Sequence, residues 1–330
     1  MRCVALRAES VETFEPKHCP YFVLMKGTWN VPLIKPPRLK TGDTIGIVSP
    51  AGPVRETDLE PGLSVLESSG YRIRLGDHVY DTKGYLAGED SARLSDLHAM
   101  ITDPEITAVF CARGGYGSIR LLDMINYDLI REHPKILVGY SDITALLTAI
   151  HGKTGLVTFH GPMVRDLEPG RKRDWDSLRR LLGSDGSPEL KLDACGVPVS
   201  GSAKGHLIGG NLSMICHLLG TPFMPPLNGG VLFLEDKGEA LYRVDRMLMH
   251  LFLSGCLKGI TALISGRFEG CGEPDGINRL FLSLASRLGV PLVTGFPLGH
   301  GRENLALPMG TTAELDTKRM TLTITEACVA

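Results

Sequence analysis

Several chemistries are set aside by what the chain lacks. Its eight cysteines are scattered and form no Cys-x-x-Cys pair, so neither a zinc knuckle nor a thioredoxin-like redox site is indicated. There is no His-Glu-x-x-His, and His160, His206 and His217 share no helical register, so no metal is expected. No stretch nears the ~20 apolar residues that cross a bilayer. The opening 36 residues lack the charged, apolar, small-residue order of a secretory signal. A net charge of -2 offers no general attraction to phosphate backbones or anionic membranes, so neither nucleic acid nor membrane is an expected partner. Several cysteines lie in apolar runs, as reduced core thiols do, which favours a reducing, cytoplasmic setting.

What is present is ordinary globular material: 330 residues, 43% hydrophobic and 22% charged. Such a chain buries roughly 75% of its unfolded surface and is long enough for two domains. Residues 1–36 read as an extension, with Met25 a candidate start, because the convincing pattern begins near Arg38. From Gly42 onward apolar β-type runs (Thr44 to Val48, Tyr71 to Leu75, Ala108 to Cys111, Ile136 to Val138) alternate with helical patterns. Strands apolar on both faces need helices on both sides, so this part predicts a doubly wound α/β domain over 37–165. In the helix from Ser91, Leu94, Leu97, His98 and Ile101 share one face, Arg93, Ser95 and Asp96 point away, and Asp90 or Ser91 supplies the cap. A polar, glycine-rich stretch over 166–203 reads as a linker. The remainder, 204–330, has its own core and ends in a hairpin around Asp316.

Ser141 follows an apolar strand and leads directly into the helical run Ile143 to Ile150. That places it at a helix N-terminus with free N–H groups, either as a nucleophile on a tight elbow, with Gly-x-Ser-Asp for the usual Gly-x-Ser-x-Gly, or as a helix cap. The loop Ala112-Arg-Gly114-Gly115-Tyr-Gly117-Ser emerges at the same carboxyl edge of the sheet. Its amides, with that of Asp142, can hold an oxyanion, although a plain tight turn or a nucleotide loop also fits. Cys111, just before it, is a weaker alternative nucleophile. Glu235 ends the buried run Val231-Leu-Phe-Leu, where a carboxylate is costly without a partner, while Asp236 and Glu239 suit a cap for the next helix. His300 stands between two glycines with prolines on either side, as if positioned. Among the ten histidines, His160 and His206 sit at turns and are pocket candidates, whereas His78, His98, His133, His151, His217 and His250 read as structural or solvated.

These strings together resemble one family. Gly84-Tyr-Leu-Ala-Gly-Glu-Asp, Cys111 to Ser118, Val138-Gly-Tyr-Ser-Asp142, His160-Gly-Pro162, Gly209-Gly-Asn211-Leu, Leu234-Glu-Asp236 and Gly299-His300 through Asn304, Pro308 and Gly310 are similar to the bacterial murein LD-carboxypeptidases. That serine peptidase family also contains the microcin C self-immunity peptidases. The resemblance runs from about residue 37 to 316, in order, and excludes the extension. It implies a flavodoxin-like doubly wound N-terminal domain and a swivelling β/β/α C-terminal domain. It further implies Ser141 as nucleophile, His300 as base and then acid, Glu235 as orienting carboxylate, and the amides of Gly115 and Asp142 as oxyanion hole. Arg113, Gly114, Tyr140, His160, Asn211 and Arg302 are candidate substrate contacts, the two arginines for a terminal carboxylate, though either also suits a surface ion pair. No cofactor is implied, the substrate is a murein tetrapeptide or related peptide, and a homodimer is expected by analogy. Two alternatives stand beside this: a peptidase acting on a peptidyl-nucleotide antibiotic, and a non-catalytic α/β ligand-binding protein.

Overall fold

The computed structural model describes residues 31–170, 172–184 and 186–330. Most of the expected extension, with Cys3, Cys19 and Met25, lies outside the described residues. Residues 31–36 are built into the body: Ile34 bridges Leu156, and the Pro36 carbonyl accepts from the Ala330 amide at 2.9 Å.

The first sheet collects β1 (Thr44–Val48), β2 (Arg72–Leu75), β3 (Ile106–Cys111), β4 (Ile136–Gly139) and β5 (Thr158–His160) in the parallel order 2-1-3-4-5. This is the flavodoxin-like doubly wound order, whose ligand crevice opens beyond the carboxyl ends of the strands. Around the sheet run α1 (Glu56–Ser68), α2 (Asp90–Thr102), α3 (Tyr127–Glu132) and α4 (Thr144–Thr154). Every residue of β1 and β4 is buried, which explains why these strands read as unbroken apolar runs rather than alternations.

The 166–203 stretch is more than a linker. It carries α5 (Lys172–Gly183) and then β6 (Glu189–Lys191) and β7 (Gly196–Val199), which form the two outer edges of the second sheet. The centre of that sheet is a parallel βαβαβαβ run: β8 (Ser202–Asn211), α6 (Leu212–Leu218), β9 (Gly230–Lys237), α7 (Leu241–Leu253), β10 (Ala262–Glu269), α8 (Pro274–Leu288) and β11 (Leu292–Thr294). The chain then crosses back: β12 (Leu307–Met309) pairs antiparallel with β5 and closes the edge of the first sheet. Finally β13 (Thr312–Asp316) and β14 (Thr321–Ile324) make the terminal hairpin. No helix among the described residues is long and apolar enough to cross a membrane.

The α2 expectation needs correcting. Arg93 and Asp96 do not point away; they are 1% and 5% exposed. Both are buried because each satisfies backbone: Arg93 donates to the carbonyls of Pro50 and Gly117 and pairs with Asp90, and Asp96 accepts from the His78 amide. The cap position falls on Glu89, which makes no side-chain capping bond.

Candidate active site

Ser141 sits where β4 meets α4. Gly139 ends the strand because a side chain there would start 2.6 Å from Ile143 Cγ2. Tyr140 is extended, and Ser141 then turns to φ +62°, a left-handed conformation that costs a non-glycine residue about 1–2 kcal/mol. Met320 alone shares that property among the described non-glycine residues. Neither the short 3-10 turn Ser141–Ile143 nor α4 receives a side-chain capping bond, so the helix-cap reading of Ser141 has no support.

The glycine loop lies against this turn. A side chain on Gly114 would start 3.0 Å from Ser141 Cβ and 3.1 Å from its Oγ. Gly115, at φ +112°, packs so closely on Gly52 that an added Cβ would lie 3.1 Å from its Cα. The loop is fastened on both sides: Ser118 donates from its amide to Asp142 Oδ2 at 2.8 Å and from its hydroxyl to the Asp142 carbonyl at 2.6 Å. Burial pushes the Asp142 carboxyl up, and the bonds from Ser118 work against that shift. Cys111 is fully buried, and desolvation drives its thiol far above the usual range, so it is no nucleophile.

Across the cavity, β9 carries Glu235 with no exposed surface. Its Oε2 accepts from His300 Nδ1 at 2.8 Å and from the His300 amide at 3.1 Å. Gly299 is obligatory: its φ is +90°, and a Cβ would lie 2.4 Å from that same oxygen. Burial alone would raise the Glu235 carboxyl, but the hydrogen bonds and charge of His300 outweigh it and hold the carboxyl below its ordinary value. For His300, desolvation lowers the imidazole, and the Glu235 hydrogen bond and charge overcome it, so the ring is raised above 6.5. With Nδ1 committed to Glu235, Nε2 is the nitrogen left for chemistry. The His300 loop is further tied down by Gly299 N–H donating to Asn304 Oδ1 at 2.8 Å and Asn304 N–H donating to Asp174 Oδ1 of α5 at 3.1 Å.

Asn211 caps α6, accepting from the Met214 amide, while its Nδ2 donates to Glu235 Oε1 at 3.4 Å and Asp236 Oδ1 at 2.9 Å. Its own amide donates to Thr144 Oγ1 at 3.0 Å, tying the end of β8 to the start of α4 beside the site. Asp236 does not cap the following helix. It is 3% exposed and accepts from the amide and hydroxyl of Ser213 at the start of α6.

One cavity of about 640 Å³ is lined by Arg113, Gly114, Gly115, Tyr140, Ser141, Asp142, Asn211 and His300, eight of the residues singled out from sequence. Glu235 stands behind His300 and is not part of the lining. His160 is no substrate contact: it is completely buried, its ring edge-on to Tyr140 and Phe233, and desolvation pushes it down to about 4. Arg302 is exposed and outside the lining. Sequence reasoning missed Arg165, Asp236, Lys237 and Glu239, which also face the cavity. For Lys237 and Glu239 the signal was available, since both follow the strand that ends in Glu235. A slightly larger cavity, about 700 Å³ between α5 and β6, holds none of the predicted residues. Among the described residues no group of three or more His, Cys, Asp or Glu side chains is placed to hold a metal ion.

Two α/β domains, the first of flavodoxin-like order, line the one cavity that holds Ser141 and His300. Residues 45–161 match the LD-carboxypeptidase N-terminal domain and residues 204–315 the LD-carboxypeptidase C-terminal domain. A Bacillus subtilis protein named "Probable murein peptide carboxypeptidase" is 39% identical over 311 residues, 91% of this chain and 97% of its own. The murein tetrapeptide carboxypeptidase of Pseudomonas aeruginosa is 36% identical over 84% of this chain and 94% of its own. The Escherichia coli microcin C7 self-immunity protein MccF is 29% identical over 89% and 96%. A structure of MccF in complex with glutamyl sulfamoyl guanosine matches with a TM-score of 0.85 at 28% identity, covering 91% of this chain and 100% of that one. The chain belongs to the LD-carboxypeptidase family.

Proposed function

We propose that this protein is a serine carboxypeptidase that releases the terminal D-alanine from murein tetrapeptides by hydrolysing the L,D-peptide bond, in cytoplasmic cell-wall recycling. One observation carries the reading: a serine at φ +62° shares a cavity with a histidine whose Nδ1 is bound by a buried glutamate. Ser141 Oγ attacks the scissile carbonyl as His300 Nε2 takes its proton. Glu235 holds the imidazole in the required tautomer and stabilises the imidazolium that forms. The amides of Gly115 and Asp142 receive the oxyanion; such a donor is worth about 3 kcal/mol of barrier. His300 then protonates the departing D-alanine, and water repeats the sequence on the acyl-enzyme. Neither metal nor cofactor enters the scheme, and a homodimer is the assembly proposed.

Incubation of purified protein with L-alanyl-γ-D-glutamyl-diaminopimelyl-D-alanine tests this directly. Free D-alanine should appear, EDTA should leave the rate unchanged, and Ser141→Ala should lower it by at least about 10⁴-fold. D-alanine release that survives in Ser141→Ala would falsify the mechanism.

The similarity to MccF favours a second substrate, a peptidyl-nucleotide amide. Against it stands the cavity wall, where Tyr140 is the one aromatic residue among those described and its ring already packs on His300 at 5.0 Å. A nucleobase is usually held on an open aromatic face. Cleavage of an aminoacyl sulfamoyl nucleoside in preference to the tetrapeptide would reverse the order, and turnover of neither would favour a non-catalytic ligand-binding protein.

A further inference from the structure

We infer that Arg113 and Arg165 together form the subsite for the substrate's terminal carboxylate, which would make this site an exopeptidase site. The inference rests on the peptidase reading above and adds its recognition element. Arg113 belongs to the glycine loop: its Nη1 donates to the Pro53 carbonyl at 2.9 Å, and its Nη2 lies 3.9 Å from where a side chain on Gly115 would begin. Its guanidinium is therefore fixed beside the proposed oxyanion donor. Arg165 is brought alongside by its own amide, which donates to the carbonyl of Ala112 at 3.0 Å. Both side chains line the cavity that contains Ser141.

Six arginines elsewhere, Arg55, Arg74, Arg93, Arg120, Arg131 and Arg173, each have an acidic partner. Among the described residues no Asp or Glu forms an ion pair with Arg113 or Arg165. The two acids whose charge reaches Arg113 are engaged elsewhere: Asp58 pairs with Arg55 at 2.8 Å, and Asp166 Oδ2 accepts from the Met163 amide at 3.0 Å, while Glu168 also lines the cavity and forms no ion pair with either arginine. Burial first, and then the charge of Arg165, lower the Arg113 guanidinium, and the more distant charges of Asp58 and Asp166 oppose that shift without cancelling it. A carboxylate relieves that repulsion and matches the planar donor fork of arginine. In a carboxypeptidase substrate the carboxylate one residue beyond the scissile carbonyl meets that need. The same peptide also carries internal carboxylates on its glutamyl and diaminopimelyl residues, so the test separates the terminal one from these.

The full chain is assayed on the tetrapeptide and on the same peptide with its terminal carboxylate converted to the amide. Wild type should cleave the amide with kcat/KM about 10- to 100-fold lower, the usual worth of a charge-assisted hydrogen bond. Arg165→Met should lose a similar factor on the acid and nothing on the amide, with Arg165→Lys between. Arg113→Met should behave alike; should it fail to fold through loss of the Pro53 contact, the exposed Arg165 decides. Calorimetric binding of both peptides to Ser141→Ala should repeat the preference without turnover. Equal cleavage of acid and amide by wild type overturns the inference while leaving the peptidase reading intact, as does an equal loss on both peptides in the arginine variants. Failure of wild type on both peptides sinks the peptidase reading and this inference with it.

Discussion

Within residues 45–161 the proposed reactive groups are set by backbone: a left-handed serine and a loop whose glycines leave little space for Cβ atoms. Within residues 204–315 they are set by side chains. Glu235, His300, Asn211, Asp236 and Asn304 are fixed by hydrogen bonds among residues far apart in sequence. The two devices fail differently. A backbone-built half is sensitive to an added methyl group and indifferent to charge, whereas a half built from a buried polar network is sensitive to the loss of one charge at constant shape.

Glu235→Gln gives the largest separation. The amide keeps the volume but withdraws the carboxylate that fixes the His300 tautomer, so kcat should fall by about 10³- to 10⁴-fold. The pH profile carries a second signature. In the proposed mechanism His300 is neutral when it accepts the Ser141 proton, so wild-type kcat/KM should fall as pH drops through its raised pKa, above 6.5. Without the carboxylate the imidazolium loses its partner, its pKa drops, and the acid limb should move to lower pH. A limb that stays in place would show that Glu235 does not set the base.

The matching experiment in the other half is Gly114→Ala. The new Cβ meets Ser141 Cβ at 3.0 Å, so Ser141 or the loop must shift by a few tenths of an ångström. Misplacement on that scale should cost about 10- to 100-fold in kcat, with the acid limb unmoved. Stopped assays over a pH series distinguish it from Glu235→Gln.

The same division governs how much was legible in the sequence. The glycine loop and the Ser141 turn could be read because backbone demands leave local marks: Gly114, Gly115 and Gly139 sit where a side chain would be crowded. The parallel sheet was equally legible, since strands buried on both faces are continuous apolar runs. Arg93 and Asp96 misled because amphipathic spacing assigns charge to the outside, and their buried backbone partners come from Pro50, Gly117 and His78, distant in sequence. The Asp174 to Asn304 tie and the return of β12 to the first sheet span far longer gaps. Arg165 carried no mark because its neighbour, Ala112, is found only by folding.

Desolvated histidines on both sides, His151 and His160 buried and His206 half-buried, make a smaller test by pH. His151, His160 and His206 are each pushed by desolvation down to about 4, from 6.5. Between those values the unfolded chain binds protons that the folded chain refuses, so stability should fall as pH is lowered from about 6.5 toward 4, by up to about 1.4 kcal/mol per pH unit for each group. His300 has the opposite sign: raised when folded, it contributes stability fully below 6.5 and loses it as pH rises through its folded value. Urea midpoints at pH 7 and pH 5 should therefore show a net acid loss that His160→Gln reduces. An unchanged midpoint would mean that these rings find proton acceptors in the folded state.

The smallest effect bears most directly on Ser141, the proposed nucleophile. Ser141→Ala and Ser141→Gly both remove the hydroxyl and should be equally inactive, so any difference between them reports on backbone alone. Alanine keeps the penalty of φ +62°, about 1–2 kcal/mol, while glycine escapes it and gives back about 0.5–1 kcal/mol through the greater freedom of its unfolded chain. Glycine should thus be the more stable by about 0.5–1 kcal/mol in urea titrations. Were alanine equal or better, the left-handed turn would not be strained, and the nucleophile half would owe its geometry to the Ser118 and Asp142 bonds instead, making the two halves more alike than their sequences suggest.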